Sequence, residues 1–446
     1  MLKKNAWALA LTAALGLHYE ARAQTQDEVR DLREEVKQLD KRVADAEQAA
    51  AQAANRPPGE NALNPAVSLI LNGIYGNLSQ DPASFRINGF VPTGGDVAPP
   101  DRGLSLGESE LSLAANVDHV FRGTGIFSVS SDNSIEVEEA YIQTLALSYG
   151  FTVKAGRFFS SVGYQNQIHA HAWDFTDAPL ASKAFLGNQL SDDGIQLRWV
   201  APTPLYFDVG AEVGRGRSFP AGPPGGRDKN GFGASNFFTT LGGDFGTGTA
   251  WQAGLSYLAT SPQGRTYDDV DSAGAAVTNG FSGTSKLWAL GGVLKWAPNF
   301  NPTERNLKLQ GEYFQRRESG SLAFDTAAAT AGGTRTGGYT STQSGWYLQG
   351  VYQFVPMWRA GYRYDRLNAG TTSIGLVDSG ALSAADFPIL AKYNPTRHTV
   401  MVDWSPSEFS RIRLQLARDD SRSDATDNQA FVQYIVSLGA HGAHKF

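Results

Sequence analysis

From Asn64 onward, apolar and polar residues alternate with a period of two, the pattern of strands with one apolar face and one wet face. The alternation is explicit in Ile195, Leu197 and Trp199; in Leu205, Phe207, Val209, Ala211 and Val213; and in Trp288, Leu290, Leu294 and Trp296. It recurs in Trp346, Leu348, Tyr352 and Phe354, and in Ile412, Leu414 and Leu416. The pattern predicts sixteen strands, beginning near residues 66, 104, 117, 134, 151, 192, 204, 235, 249, 285, 305, 344, 357, 397, 409 and 428. An even count is what a closed bacterial barrel needs.

The connections are of two kinds. Tyr149-Gly150, Pro202-Thr203-Pro204, Gly246 to Gly248, Pro298 to Pro302, Pro356 and Ser405-Pro406-Ser407 read as tight turns. Between them lie polar stretches near 159–191, 215–234, 260–284, 317–343 and 367–396, read as long loops. Outer-membrane barrels turn tightly on the periplasmic side and loop widely outside. The order therefore predicts both chain ends in the periplasm. In the last strand Val432, Tyr434, Val436, Leu438 and Ala440 share the parity of the terminal Phe446, so the chain is expected to end on a lipid-facing aromatic.

Before residue 64 the period is different. Val29, Leu32, Val36, Leu39, Val43, Ala46, Ala50 and Ala53 occupy a and d positions of four heptads, which predicts an α-helical coiled coil over 24–54. A single solvated amphipathic helix is the alternative, because the last core positions are only alanine. Valine at a with leucine at d favours two strands, whereas barrels of this type commonly form trimers; a homo-oligomer is expected and its number stays open. Asn55-Arg56-Pro57-Pro58-Gly59 breaks the helix and opens a linker over 55–64. Residues 1–23, with Lys3 and Lys4, an apolar run from Ala6 to Leu17 and Ala21-Arg22-Ala23, read as a secretory signal peptide. Residues 65–446 are left for the barrel.

Composition removes the competing classes. No later stretch reaches the roughly 20 apolar residues of a membrane helix, so an all-β transmembrane antiparallel barrel is the expected fold. The chain has no cysteine, which excludes disulfides and thiolate metal sites. Its 49 glycines, 11% aromatics and negative mean hydropathy suit a wall with one lipid face and one wet face. The net charge of −6 becomes more acidic once the signal peptide is removed, which argues against nucleic acid as a partner. The expected partners are outer-membrane lipid and small hydrophilic solutes or ions.

The segment Val137-Glu138-Glu139-Ala140-Tyr141-Ile142, a tight turn and Val153-Lys154-Ala155-Gly156-Arg157-Phe158-Phe159, placed after a coiled coil and a proline-rich linker, resembles the phosphate-selective porin O and P superfamily. The resemblance implies a sixteen-stranded, usually trimeric channel in the outer membrane of a Gram-negative bacterium, with the coiled coil in the periplasm. The acidic balance departs from the basic lumen that phosphate selection needs. Asn64 to Gly73 and His169-Ala170-His171-Ala172-Trp173-Asp174-Phe175 are similar to proteins described as zinc-linked outer-membrane receptors.

The stretch 159–191 is predicted to be the third external loop, folded into the lumen, because Trp173, Phe175, Phe185 and Leu186 need an apolar partner. The alternation assigns Lys154, Arg198, Arg359, Arg363, Arg397, Arg411 and Arg413 to the lumen as basic pore-lining candidates, with Asp208, Glu212 and Glu312 as acidic ones. Opposed walls of charge orient polar solutes; charges that simply hydrate a wide lumen are the plain alternative. His169 and His171, two apart, with Asp174 make a candidate zinc site. Histidines packed against Trp173 would need no metal, and no other cofactor is implied. Three functions are thereby ordered. The first is a porin-type channel for passive diffusion, and the second a zinc-binding or uptake protein. The third is a barrel hydrolase using Ser105 of Gly103-Leu104-Ser105-Leu106-Gly107 with a histidine such as His119.

Overall fold

The computed structural model describes residues 65–93, 97–145, 147–222, 230–298 and 301–439. The expected signal peptide, coiled coil and linker, and the terminal Phe446, lie outside the described residues. Eighteen strand segments form one antiparallel sheet. They are β1 (Ala66–Leu78), β2 (Gly103–Leu106), β3 (Ser109–Asn116), β4 (Phe121–Val129), β5 (Ile135–Thr144) and β6 (Phe151–Phe159), followed by β7 (Ser191–Val200), β8 (Tyr206–Gly214), β9 (Ala234–Phe245) and β10 (Thr249–Thr260). The second half comprises β11 (Arg265–Val270), β12 (Ala276–Trp296), β13 (Asn306–Phe324), β14 (Arg335–Val355), β15 (Trp358–Ile374), β16 (Thr396–Ser407), β17 (Ser410–Asp420) and β18 (Asp427–Gly439).

β2 and β3 follow one another alongside β1 as a single broken strand. β11 pairs with the outer part of β12, while β10 pairs with its inner part. Counting each of these pieces with its stave leaves sixteen staves. β18 pairs with β1 from Ser68↔Gly439 to Leu78↔Gln429, which closes the wall and leaves no edge strand. All sixteen predicted strands are present. Two of them start about nine residues earlier than expected, β12 at Ala276 and β14 at Arg335, and β13 and β15 run correspondingly further. The loops expected over 260–284 and 317–343 are therefore largely strand. Those stretches are rich in Gly, Ser and Thr and lie beyond the apolar belt, where backbone pairing continues without an alternation to reveal it.

The outward face carries the exposed apolar side chains, among them Leu290, Leu309, Leu348, Val402, Leu414 and Val432. Aromatic pairs bound this belt. At the tight-turn end stand Phe245 with Trp251, at 5.5 Å, and Trp358 with Trp404, at 6.0 Å. At the loop end stand Tyr257 with Trp288, at 4.6 Å, and Trp346 with Tyr364, at 5.4 Å. Trp288 and Trp296 are eight residues apart on β12, roughly 27 Å of strand. A tilt of about 40° reduces this to about 20 Å, near the roughly 25 Å apolar band of transmembrane barrels. A closed wall with such a belt is the structure a strand-built protein uses to span a bilayer. Val432, Tyr434 and Leu438 of β18 are among its exposed residues, as the parity predicts.

Candidate functional site

The interior is organised by the segment 160–190, which leaves β6 and folds into the barrel before β7 begins. Its sequence alternates short polar turns with apolar anchors, and after two single 3-10 turns it contains one α-helix, α1 (Leu180–Leu186), stopped by Gly187 in the left-handed conformation, φ 67°. Leu180, Phe185 and Leu186 of α1 pack on lumen-facing Phe314, Tyr347 and Leu367 together with Ile87 and Phe90 of the first loop. Phe175 packs on Val351 and Met401. Each large side chain buried this way stabilises the inward fold by about 1.5–3 kcal/mol.

Polar anchors fix the same segment. The backbone N–H groups of Tyr164 and Gln165 donate to Glu312 at 2.6 and 3.2 Å, and the Tyr347 hydroxyl donates to it at 2.6 Å. Glu212 accepts from the Ser161 N–H at 2.8 Å and the Ser160 hydroxyl at 2.6 Å. Asp177 is held by Arg397, by Arg363 at 3.3 Å and by Lys183 at 3.6 Å. Burial works to raise its pKa, but Arg397, Arg363 and Lys183 outweigh burial and hold the carboxyl well below the usual range. Arg413 donates to the Trp173 carbonyl at 2.9 Å, and Arg411 to that of His171 at 2.5 Å.

Several residues expected to line the path therefore have another place. Arg363, Arg397, Arg413, Glu212 and Glu312 face inward but are sealed beneath the loop, and Asp208, fully buried, is paired with Arg198. Lys154 sits over the rings of Tyr141 and Phe158 at 4.5 and 5.4 Å. A cavity of about 710 Å³ lies between the loop and the tight-turn rim. Glu110 and Glu139 line it on β3 and β5; Lys308, Arg359 and Arg411 line it on β13, β15 and β17. β5 and β13 stand about half the circumference apart, so Glu139 and Lys308 face one another across the lumen, whereas Arg411 on β17 lies only three staves from Glu110 on β3. Of the residues the sequence proposes as pore-lining, Arg359 and Arg411 reach this cavity; Glu110, Glu139 and Lys308 line it without having been selected by the alternation.

The histidine site also differs from the expected one. Asp174 does not join the imidazoles: it pairs with Lys308 at 2.8 Å and Arg359 at 3.1 Å. His169 instead meets Glu138 through Nδ1 and Glu139 through Nε2, both at 3.1 Å, with Glu110 at 3.3 Å from Nδ1. Glu110 also meets His171 Nδ1 at 2.6 Å, and the two imidazoles stack with centroids 5.8 Å apart. Burial opposes a charge on His169, but Glu138, Glu139 and Glu110 prevail and raise its pKa well above the ordinary imidazole value.

Two β-bulges create this cluster. Between Gly73↔Leu106 and Ile70↔Glu110, three residues, Gly107, Glu108 and Ser109, oppose two on β1. Between Ile126↔Glu139 and Phe127↔Val137, Glu138 is the extra residue. A bulge re-aims side chains, so Glu138 and Glu139, which strict alternation would send to opposite faces, both reach the lumen. The Ser105 motif does not form a nucleophile elbow. Gly103 to Gly107 continues from strand into strand without the required helix, and His119 lies exposed beyond the far end of β3.

Comparison with known proteins agrees with the wall. No protein-family profile matches the chain. The in-vitro folded trimer form of OmpT, an outer membrane protein of Vibrio cholerae, aligns with a TM-score of 0.50 at 10% identity, covering 84% of this chain and 99% of that one. A loop L8 deletion mutant of OmpT aligns with the same score and coverage at 12% identity. These likenesses show the fold. A protein of Aquifex aeolicus (strain VF5), described as an uncharacterized protein, is 31% identical over 369 residues, 77% of this chain and 70% of the relative. On that identity and coverage, this sixteen-stranded barrel belongs to the same protein family as the Aquifex aeolicus protein.

Proposed function

We propose that the protein is an outer-membrane porin-type channel for passive diffusion of small hydrophilic solutes or ions. The observation that carries the reading is the inward loop. It packs against the lumen wall and leaves a charged cavity of about 710 Å³ between itself and the tight-turn rim. A narrow aqueous space between opposed charges selects by size and by sign. Outer-membrane placement is supported by the barrel it shares with OmpT, and assembly into a homo-oligomer by the trimer form of that protein.

The test is single-channel recording on refolded protein in planar bilayers, with reversal potentials measured across a salt gradient. Discrete conductance steps are expected. A barrel that inserts, by the criterion of heat-shifted gel mobility, yet passes no current would overturn the channel reading.

A further inference from the structure

Glu110, Glu138 and His169 come from three separate parts of the chain, and their ligand atoms all lie within 4.8 Å of one another. One of these residues, Glu138, reaches that place only through a bulge, at a cost in regular pairing that a plain barrel wall does not incur, while Glu110 follows directly on the irregularity at Gly107 to Ser109. The distances are informative. A charge-assisted N–H···O contact to a carboxylate typically spans about 2.7–2.9 Å. His169 Nδ1 stands further from its two carboxylates, at 3.1 and 3.3 Å. The edge of a tetrahedron with metal bonds of about 2.0–2.1 Å is about 3.3 Å. Glu139 meets the far nitrogen, Nε2, at 3.1 Å, where metal-binding histidines commonly have a carboxylate that fixes the ring.

We propose that His169 Nδ1, Glu110 and Glu138 form a binding site for a divalent first-row transition cation in the lumen wall, with Glu139 orienting the imidazole. The mixed nitrogen and oxygen donors suit zinc-like ions rather than calcium. Glu110, Glu139 and His169 line the cavity, so an aqueous ion reaches the site and water or a solute completes its coordination. Because His169 belongs to the inward loop and the glutamates to the wall, the bound ion would also clamp the loop to β3 and β5. The site is distinct from channel activity and stands or falls without it.

Zn²⁺ titration of the refolded full chain against a chromophoric chelator tests this. One high-affinity ion per chain is expected. His169→Ala and Glu138→Gln should each weaken binding at least about tenfold, and Glu139→Gln about 10–100-fold. His119→Ala, in an exposed turn, should leave binding unchanged. If His169→Ala fails to give the heat-shifted mobility of a folded barrel, Glu138→Gln decides, since it keeps side-chain volume. Absence of stoichiometric Zn²⁺, or affinity indifferent to both substitutions, overturns the site.

Discussion

Asp177 shows how much one side chain holds. It is the shared anion for Arg363, Arg397 and Lys183, all of them buried. Asp177→Asn leaves those cations packed together without it, and breaking a buried pair in this way costs about 3–5 kcal/mol. The expected outcome is an inward loop that added protease cleaves at neutral pH, in a barrel whose heat-shifted mobility is retained. The pH dependence follows in sign. The folded pKa lies below the unfolded value of about 3.9, so the stabilisation is complete above that value and is lost as pH falls toward the depressed one. Loop protection from protease should hold from pH 8 to about 5 and decline below about pH 4. Protection lost first near pH 6 would assign the docking to another group. None of this pairing was legible beforehand. Alternation places Arg363 and Arg397 on the lumen side, but it does not tell which lumen charges meet water and which meet a loop.

At the scale of elements, strands were the most legible part, because belt and lumen impose opposite solvents on successive residues. The inward course of 160–190 was legible too, from Trp173, Phe175, Phe185 and Leu186 in an otherwise polar stretch. The first loop was not, although its Ile87 and Phe90 complete the same core. The bulges left no trace either, since Glu138-Glu139 reads as one step of a regular strand. Shortening residues 165–185 removes α1 and most of the anchors, and single-channel conductance should rise. Unchanged conductance would place the constriction elsewhere.

For the whole molecule, the charge that matters is the part facing the cavity rather than the net −6. Lys308 and Arg411 line that space, whereas Arg363 and Arg413 are sealed under the loop. Lys308→Gln with Arg411→Gln should therefore shift reversal potentials toward cations by removing fixed positive charge. Arg363→Gln should act through loop stability, seen as protease cleavage rather than as a clean shift in selectivity. Identical reversal potentials in the double variant would mean that current bypasses Lys308 and Arg411.

The bulge at Glu138 makes part of the lining removable. A residue lost from a regular strand reverses the facing of everything beyond it, which a wall between lipid and water does not tolerate. Glu138 is supernumerary in the ladder, so excising it aligns Glu139 and Val137 with Ile126 and Phe127 and turns no other side chain over. A chain lacking Glu138 should refold with unaltered β-rich circular dichroism and heat-shifted mobility while losing Zn²⁺ affinity. In this family an acidic cluster could thus be gained or lost by the insertion or deletion of one codon, with the membrane-spanning wall passed on unchanged.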